Sequence, residues 1–398
     1  MAIQIGIGLS TQKDPFLAAK EATSQARLNL HGTKINLAIV FSSVELASPT
    51  LLKYISNYAG DPPIVGCSGA AIISNRGIFK HGVIIMLLCF PDSDGLYFNT
   101  ACVKDIHEKF ALSAGEELGD KLLYGLKNMS RHLSVIFSDG MIEKCSDLIS
   151  GLQEKLGISF PLVGASASDN LAFKKTYVYF NQEVFNNAAC GILWGSRLSF
   201  GLGTKHGWKS LGKPRLVTKS SGNIVNEIDN TPAVKIYEDY LALDRAALKK
   251  ELKRISIFYP IGIKLSGEQE FLLRNVSSIE EDGSIVFQGN VPEKSVIRLM
   301  IGTKETCLSA TYQALEEAKK GLFGQPVKFA LVFDSVSRYI LLGRDAHKEL
   351  EIIKQALGKD TAIIGLYTYG EQAPLRAINY LGKAYFHNQT FTILIVGG

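Results

Sequence analysis

The chain has 398 residues, of which 46% are hydrophobic and 20% are charged, and its formal net charge is +5. This length and composition predict a globular protein of one or two domains with a sizeable core. Its longest apolar run is far shorter than the roughly 20 residues of a membrane-spanning helix, its basic residues form no long run, and its N-terminus lacks a secretory signal pattern. We therefore expect a cytoplasmic protein that neither inserts into a membrane nor binds nucleic acid.

The N-terminal part of the chain predicts strands that alternate with capped helices. Apolar segments predict strands at residues 3–9, 37–41 and 64–66. Asp14-Pro15 and Ser48-Pro49 each predict the start of a helix, because a side chain that can cap the helix precedes a proline at its first position. Gly60 is predicted to end the second helix. The strand that follows enters a sharp turn at Gly66-Cys67-Ser68.

The same order of elements recurs twice further along the chain. The recurring strands read A-I-V-F-S-S at residues 38–43, S-V-I-F-S-D at 134–139 and A-L-V-F-D-S at 330–335. Each is followed by a short helix and by a second strand that ends in a glycine-containing corner, at residues 63–71, 161–169 and 362–371. The third copy is predicted to begin near residues 296–301. Because a repeat places equivalent corners at equivalent positions, we expect ligand contacts there.

A β-rich segment interrupts this pattern between the second and third copies. Short strands are predicted within residues 216–228 and 258–289, with a helix between them. The predicted fold class is α/β, with mixed β-sheets, helices on their outer faces, and three related β-α-β-α-β-β repeats. We expect two domains, residues 1–229 with two repeats and residues 230–398 with one repeat and the inserted β-rich segment.

Several short blocks resemble those of a known family in order and spacing. They are Val40-Phe41-Ser42, Val65 to Ser68, Gly207-Trp208, residues 217–219 and 227–233, residues 289–292, Arg338, residues 342–343, 365–371 and 373–374, and His387 to Thr390. Together they resemble the FIST family, named for F-box and intracellular signal transduction proteins. The resemblance covers nearly the whole chain.

The FIST resemblance implies a sensory input module that binds a small ligand, with an amino acid favoured. It implies a stand-alone sensor acting through a separate signalling output protein, such as a kinase or a cyclase. Ala71 and Ile72 replace a glycine and a glutamate that usually follow the first family corner. The third corner keeps Tyr369-Gly370-Glu371 intact, so it is the preferred ligand site.

Small polar side chains at the first two corners are predicted ligand contacts. Glycine permits a sharp turn at the end of a strand, and ligands commonly bind over the strand ends of open α/β sheets. Ser68, Ser166 and Ser168 would contribute hydroxyl groups, and Cys67 would lie beside them. The alternative is that these small residues only allow strands and helices to pack closely.

The third corner offers a richer set of side chains. Alternation along a strand places Tyr367, Tyr369 and Glu371 on one face. A carboxylate between two phenol rings suits an ammonium group, and Arg338 or Arg376 could clamp a carboxylate with two hydrogen bonds. Together they would bind both ends of an amino acid. The alternative is that the tyrosines fill the core and Glu371 pairs with an arginine.

His387 and Asn388 precede the last apolar strand and complete the predicted binding set. The imidazole of His387 could titrate near neutral pH above the third corner. The alternative is that it orders a backbone turn.

No metal or cofactor is predicted. The six cysteines form no CxxC pair, and no Cys or His residues show the spacing of zinc ligands. Gly6-x-Gly8 and Gly201-x-Gly203 lack the third glycine of a dinucleotide-binding loop.

Two other functions remain open from the sequence. Cys67 could serve as the nucleophile of a hydrolase or transferase, although no histidine lies in the same motif to act as its base. The chain could also be a protein-interaction scaffold. The leading interpretation is a small-molecule sensor without catalytic activity.

Overall fold

A computed structural model of the chain describes residues 3–30, 32–90, 96–126, 129–195, 198–268, 270–375 and 382–398. The strands are β1 (Gln4–Ser10), β2 (Leu37–Ser43), β3 (Ile64–Gly69), β4 (Ile72–Ser74), β5 (Gly77–Phe79), β6 (Val83–Cys89), β7 (Phe98–Lys104), β8 (Leu133–Ser138), β9 (Leu162–Ser166), β10 (Val178–Phe180), β11 (Glu183–Phe185), β12 (Ala188–Trp194), β13 (Ser199–Lys205), β14 (Lys209–Ser221), β15 (Ile224–Ile228), β16 (Thr231–Pro232), β17 (Ile261–Lys264), β18 (Phe271–Arg274), β19 (Val276–Ile279), β20 (Ile285–Phe287), β21 (Val296–Ile301), β22 (Val327–Ser335), β23 (Ala362–Thr368), β24 (Gly370–Pro374), β25 (Ala384–His387) and β26 (Phe391–Gly397).

The helices are α1 (Pro15–Arg27), α2 (Pro49–Ala59), α3 (Ile106–Lys109), α4 (Ala111–Tyr124), α5 (Cys145–Leu156), α6 (Lys235–Leu241), α7 (Arg245–Lys250), α8 (Leu252–Phe258), α9 (Lys304–Gly321), α10 (Val336–Leu342) and α11 (Ala346–Leu357). The predicted caps are confirmed. Asp14 accepts a hydrogen bond from the Leu17 amide, Ser48 accepts one from Leu51, and Gly60 ends α2 with a left-handed backbone.

Three of the sheets share one strand order. The first is β1-β6-β2-β3-β10-β11, the second is β7-β12-β8-β9-β24-β25, and the third is β13-β26-β22-β23-β4-β5. The last two strands of each sheet form a hairpin. In the chain, that hairpin comes after a corner that belongs to another of the three sheets. The fold class, mixed sheets covered by helices, is confirmed, whereas the repetition of three sequence copies and the boundary at residues 229 and 230 stay predictions.

The inner faces of the three sheets share one apolar core. Phe41, Phe137 and Phe333 occupy the same position in the three recurring strand sequences and meet there, with ring centroids 5.4 to 6.3 Å apart in edge-on geometry. Such aromatic pairs add to the burial of their surface. The outer faces of the sheets pack against α1 and α2, against α4 and α5, and against α9 and α11. The core thus fixes the strand ends relative to one another.

The strand predicted at residues 296–301 is confirmed as β21, but its assignment to the third copy was wrong. Residues 296–301 do not begin a third copy, because β21 pairs with β14 and β17 in the fourth, eight-stranded sheet. The strand beside β26 is instead β13. Gly201 in β13 explains this choice, since a Cβ atom there would lie 1.8 Å from the carbonyl oxygen of Ala318 in α9. A Cβ atom on Gly6 in β1 would likewise clash with the Ala26 carbonyl oxygen of α1. Glycine at these two positions therefore allows a helix to approach the strand closely.

Candidate functional site

The three predicted corners meet at the ends of the inner strands. The Ala70 amide donates a hydrogen bond to the Tyr367 carbonyl oxygen at 3.1 Å, and the Ser168 amide donates one to the Ser68 carbonyl oxygen at 3.0 Å. The Tyr369 amide donates to the Ser166 carbonyl oxygen at 3.2 Å. Each corner is therefore bonded to both of the others through the backbone.

The corner side chains are buried and bonded within the chain. The hydroxyl of Ser68 donates to the Ser168 carbonyl oxygen at 2.9 Å, and the hydroxyl of Ser168 accepts from the Ala70 amide at 2.8 Å. The hydroxyl of Ser166 pairs with that of Ser138 at 2.8 Å. These hydroxyls already have partners, so the ligand role of Ser68, Ser166 and Ser168 stays a prediction.

Cys67 lies in the shared apolar core and is fully buried. Burial raises the pKa of its thiol, because a thiolate would lose its hydration there. A thiolate is the reactive form of cysteine. The environment therefore works against the nucleophilic role considered for Cys67.

The side chains of the third corner do not form the predicted cage. Tyr367 packs against Tyr339, with ring centroids 4.3 Å apart, and Tyr369 stacks on Phe173 at 4.2 Å. The carboxylate of Glu371 accepts from the hydroxyls of Thr368 and Thr390 at 2.5 and 2.7 Å, and from the Thr390 amide at 3.1 Å. The reason is that the strand breaks at Tyr369, between β23 and β24, so simple alternation does not continue to Glu371. Burial raises the pKa of Glu371 to about 7.

Arg338 binds acidic groups of the chain itself and is fully buried. Its Nε donates to Asp334 at 2.8 Å, and its Nη2 contacts Glu349. Its Nη1 donates to the His206 carbonyl oxygen at 2.8 Å. Burial, followed by the nearby charge of Glu349, raises the pKa of Asp334 well above its usual value. Arg338 thus ties β22, α10 and α11 to the residue after β13, while Arg376 lies outside the described residues.

His387 and Asn388 are also buried with partners. His387 Nε2 lies 2.8 Å from the Ala373 carbonyl oxygen, and Asn388 accepts a hydrogen bond from the Asn275 amide at 3.3 Å. Burial lowers the pKa of His387 to about 3. The expectation that His387 titrates near neutral pH is therefore wrong, because the buried ring loses the hydration that would stabilise its charged form.

An open cleft lies beside the end of β13, next to the buried Arg338 cluster. Its volume is about 450 Å³. The residues that line it come from the turn after β13, from the segment before β18 and from the first turns of α9. They are Lys205, His206, Gly207, Trp208, Lys209, Glu270, Glu305, Thr306, Ser309, Ala310 and Gln313. We call it the α9 cleft.

Backbone packing fixes the floor of the α9 cleft. Gly207 has a φ of 91°, and a Cβ atom there would lie 2.7 Å from the Thr306 carbonyl oxygen. Glycine alone suits both the positive φ and the close contact with α9. Thr303 and Thr306 form a capping box at the start of this helix. The turn that carries His206 and Trp208 is therefore held against a well-capped helix.

His206 presents an unpaired hydrogen-bond donor at the cleft. The Trp208 amide donates to His206 Nδ1 at 2.9 Å, so in the neutral ring the hydrogen is on Nε2. Burial lowers the pKa of His206 to about 4, so this neutral form holds at pH 7. Its side chain is only 8% exposed. Nε2 has no hydrogen-bond partner within the described part of the chain.

Trp208 presents a second unpaired donor. Its side chain is 3% exposed, and its Nε1 has no hydrogen-bond partner among the residues that the structure describes. Native proteins pair the large majority of their buried polar atoms. Two unpaired N–H donors, on two residues that line one cleft, are therefore unusual.

The acidic and basic groups near these donors neutralise one another. The ammonium group of Lys205 lies 2.8 Å from Glu270 and 2.7 Å from Glu317. The other carboxylate oxygen of Glu270 is 3.7 Å from His206 Nε2, which is longer than a hydrogen bond. The residues around the cleft thus include two that carry buried neutral donors and a carboxylate that Lys205 holds in place.

A second cleft lies at the other end of β13. It has a volume of about 370 Å³ and is lined by Arg131, His132, Phe160, Pro161, Leu198, Ser199, Phe200, Gly321 and Phe323. Its lining is mainly apolar, and it includes none of the unpartnered buried polar atoms found in the described structure. Neither cleft is lined by any of the ten corner and strand-end residues predicted from the sequence.

Sequence reasoning missed His206, Trp208 and Glu270 as site residues. The available signal was Gly207-Trp208, which is one of the blocks that carry the family resemblance. Nothing in the sequence connects that pair with Glu270, because the three residues meet only through the packing of β13, α9 and the segment before β18.

Comparisons with known proteins agree over most of the chain. The family model of the FIST N domain matches residues 36–231, and that of the FIST C domain matches residues 233–374. Uncharacterized protein Rv0628c of Mycobacterium tuberculosis is 21% identical over 387 residues, which cover 95% of this chain and 97% of that protein. Uncharacterized protein MJ1623 of Methanocaldococcus jannaschii is 24% identical over 285 residues, which cover 67% of this chain and only 53% of that protein.

Among solved structures, the similarity is remote. The structure of PurLQS from Thermotoga maritima matches 99% of this chain and 72% of its own chain, with 10% identity and a TM-score of 0.25. That score carries no argument about fold or activity. Within the described residues, no helix combines the length and the apolar character needed to cross a lipid bilayer.

Proposed function

The chain belongs to the FIST family, and from that premise we propose that it is a sensing module of intracellular signal transduction that binds a small molecule in the α9 cleft. FIST domains are associated with sensing in signal transduction rather than with catalysis. The observation that carries the proposal is that His206 and Trp208, two residues that line one open cleft, each carry a buried N–H donor without a partner in the described residues.

The physical argument rests on the cost of an unmade hydrogen bond. Leaving a buried donor unpaired costs about 1–3 kcal/mol. A ligand that accepts from His206 Nε2 and Trp208 Nε1 would recover part of that cost on binding. The cleft volume of about 450 Å³ lies within the range of small-molecule sites, and its largely polar lining suits a polar ligand.

A route from the cleft to the rest of the molecule runs through Arg338. Its guanidinium donates to the His206 carbonyl oxygen, and it is bonded to Asp334 on β22 and to Glu349 on α11. A ligand that shifts the turn at His206 would bias this buried cluster, and the bias would reach an output protein such as a kinase or a cyclase. In this proposal Arg338 is a positioning residue and does not contact the ligand.

An amino acid stays one proposed ligand, and the corners stay a second proposed site. Cys67, Ser68, Ser166, Ser168, Tyr367, Tyr369, Glu371, His387 and Asn388 are all buried. A ligand could reach them only if the surrounding strands and helices separated. The α9 cleft is already open to solvent at Lys209, Glu305 and Ser309, although His206 and Trp208 are themselves buried, which is why we prefer it.

A melting screen tests the proposal. The full chain is heated with a library of small metabolites, and a true ligand at a hundredfold excess over its dissociation constant should stabilise it by about 2.7 kcal/mol. The shift should be lost in Trp208→Phe, which removes the donor but keeps an aromatic ring. It should persist in Tyr312→Phe, because Tyr312 is an exposed residue of α9 outside the cleft lining.

Two results would contradict the proposed site or the proposed function. A ligand whose shift survives Trp208→Phe and disappears in Glu371→Gln would place the site at the third corner. A complete absence of stabilising metabolites, with the chain folded, would favour the interaction scaffold.

A further inference from the structure

The second cleft combines apolar side chains with one cationic group. Its lining includes Leu198, Phe160, Phe200 and Phe323. Arg131 also lines it, and the guanidinium carbon of this residue lies 5.9 Å from the centre of the Phe160 ring. Aromatic residues and arginine are the residue types enriched where proteins bind one another. We call this cleft the aromatic cleft.

Phe323 occupies a position that disfavours it in two ways. It follows the end of α9 with a φ of 49°, a left-handed backbone that suits glycine and that a bulky residue rarely adopts. The residue is also 88% exposed, so a large apolar surface remains in water. Neither the backbone nor the packing of the chain therefore favours phenylalanine there, whereas a partner that covers the ring would.

The charges at the aromatic cleft favour an acidic partner. No aspartate or glutamate is among the described residues that line it, and Arg131 forms no ion pair with any residue that the structure describes. A carboxylate can form two parallel hydrogen bonds with a free guanidinium. The formal net charge of the chain, +5, also attracts an acidic protein.

A second copy of this chain fits the aromatic cleft less well. A two-fold contact sets the same surface patch of both copies against each other. Arg131 would then lie close to its own counterpart, and no carboxylate of the lining could separate the two charges. The charge at the cleft therefore favours a different protein as the occupant.

The aromatic cleft and the α9 cleft lie at opposite ends of one helix. The first turns of α9 line the α9 cleft, and its last residue, Gly321, lines the aromatic cleft. Gly201 and Gly203 allow this helix to lie directly on β13. A partner at the aromatic cleft would thus contact the same helix that borders the proposed ligand site.

We propose that the aromatic cleft docks an acidic segment of another protein that carries an apolar anchor side chain, such as phenylalanine or leucine. The anchor packs against the aromatic lining, and a carboxylate of the segment pairs with Arg131. Phe323 covers the anchor and is covered by it. The inference goes beyond the proposed function, because it holds whether or not a small molecule binds in the α9 cleft.

Selection from random peptides displayed on phage tests the chemistry of the partner. Peptides that bind the full chain are sorted by whether they also bind Phe323→Ser. Those that require Phe323 should be rich in aspartate or glutamate and contain an aromatic or leucine residue. All of them should still bind Tyr312→Ser, which removes another exposed aromatic residue of α9 outside the lining. The inference is overturned if no selected peptide requires Phe323, or if those that do are basic.

Exchange of charge across the contact tests the role of Arg131. Arg131→Glu should weaken binding of the selected acidic peptide at least about tenfold, which corresponds to 1.4 kcal/mol or more. A version of the peptide with lysine at its acidic positions should bind Arg131→Glu better than it binds the native chain. Equal affinities of the native chain and Arg131→Glu for the acidic peptide would contradict the proposed pairing.

Phe323→Gly separates binding from folding. Glycine suits the left-handed backbone at this position, so the melting temperature should be at least as high as that of the native chain. Peptide binding should nevertheless fall at least about tenfold, because the aromatic ring is gone. A lower melting temperature would show that the ring serves the fold and would overturn the inference.

Two further results distinguish the possible occupants. Sedimentation of the native chain as a dimer that Phe323→Ser converts to a monomer would place a second copy at the cleft and overturn the acidic partner. A monomer in both cases agrees with the inference. The metabolite melting screen decides separately whether the α9 cleft binds a small molecule.

Discussion

The corners and the α9 cleft are both rich in polar groups, but they differ in how those groups are paired. At the corners, the hydroxyls of Ser68, Ser166 and Ser168 are bonded to other atoms of the chain. In the cleft, the donors of His206 and Trp208 have no partner in the described structure. Buried polar atoms that are paired hold a fold together, whereas unpaired ones at an opening are available to a ligand. This difference predicts that substitutions at the paired groups lower stability, whereas substitutions in the cleft lower ligand affinity.

Removing the guanidinium of Arg338 should give the largest loss of stability. Arg338→Met leaves Asp334 and Glu349 buried without the cation between them. Breaking a buried pair in this way typically costs about 3–5 kcal/mol. Urea unfolding of the variant and of the native chain measures the difference. A loss below about 1 kcal/mol would contradict the structural role of the cluster.

Glu371 should make stability depend on pH. Burial raises its pKa in the folded chain to about 7, above the value of roughly 4.3 expected in the unfolded chain. Between these values the folded chain holds a proton that the unfolded chain has lost, so this group lowers stability as pH rises from about 4.3 to 7. The effect is on the order of a few kcal/mol.

Glu371→Gln removes this titration. Unfolding of the native chain and of the variant is compared at pH 5 and at pH 8. The variant should gain stability relative to the native chain at the higher pH. Parallel pH profiles for the two proteins would show that Glu371 does not titrate in this range.

Ser168→Ala should cost less, about 1–3 kcal/mol, because it removes two buried hydrogen bonds of about 0.5–1.5 kcal/mol each, one from the Ala70 amide and one to the Tyr367 carbonyl oxygen, while these two groups stay bonded to each other. The affinity for a ligand of the α9 cleft should not change. Urea unfolding and a binding titration on the same variant measure both quantities. A loss of affinity with little loss of stability would return the ligand to the corners.

Trp208→Phe should show the opposite behaviour and the smallest effect on stability, within about 1 kcal/mol of the native chain. The substitution removes a buried donor that has no partner to lose. Ligand binding should nevertheless be abolished. A large destabilisation would contradict this ranking and would show that the indole ring, packed against Leu273 and Met300, contributes to the fold.

Local sequence signals predicted those parts of the fold that depend on neighbouring residues. Asp14 and Ser48 each cap a helix whose first residue is the proline that follows them, as the sequence predicts. Gly60 ends the second of these helices. The three recurring strands also form the centres of three sheets. The start of the third sheet was wrong, because β21 is the more apolar strand, whereas β13 contains Gly201 and Gly203, which lie against the backbone of α9.

The candidate site was less predictable because its contacts are long-range. Arg338 is polar and lies near a strand end, as an anion clamp would, but its partners come from α9, α11 and the turn after β13. His206 stands out by a buried Nε2 without a partner in the described residues, a feature that no sequence pattern records. The positions of polar residues in the sequence thus indicated where buried polar groups would cluster. Which of those groups bond to one another could be identified only from the structure.

The indole N–H signal of Trp208 should be followed by NMR while a stabilising metabolite is added. If the α9 cleft is the ligand site, this signal moves in step with binding, while that of Trp194, which is buried in the shared core, stays fixed. Saturating binding, seen as a higher melting temperature, with both indole signals unchanged would contradict it.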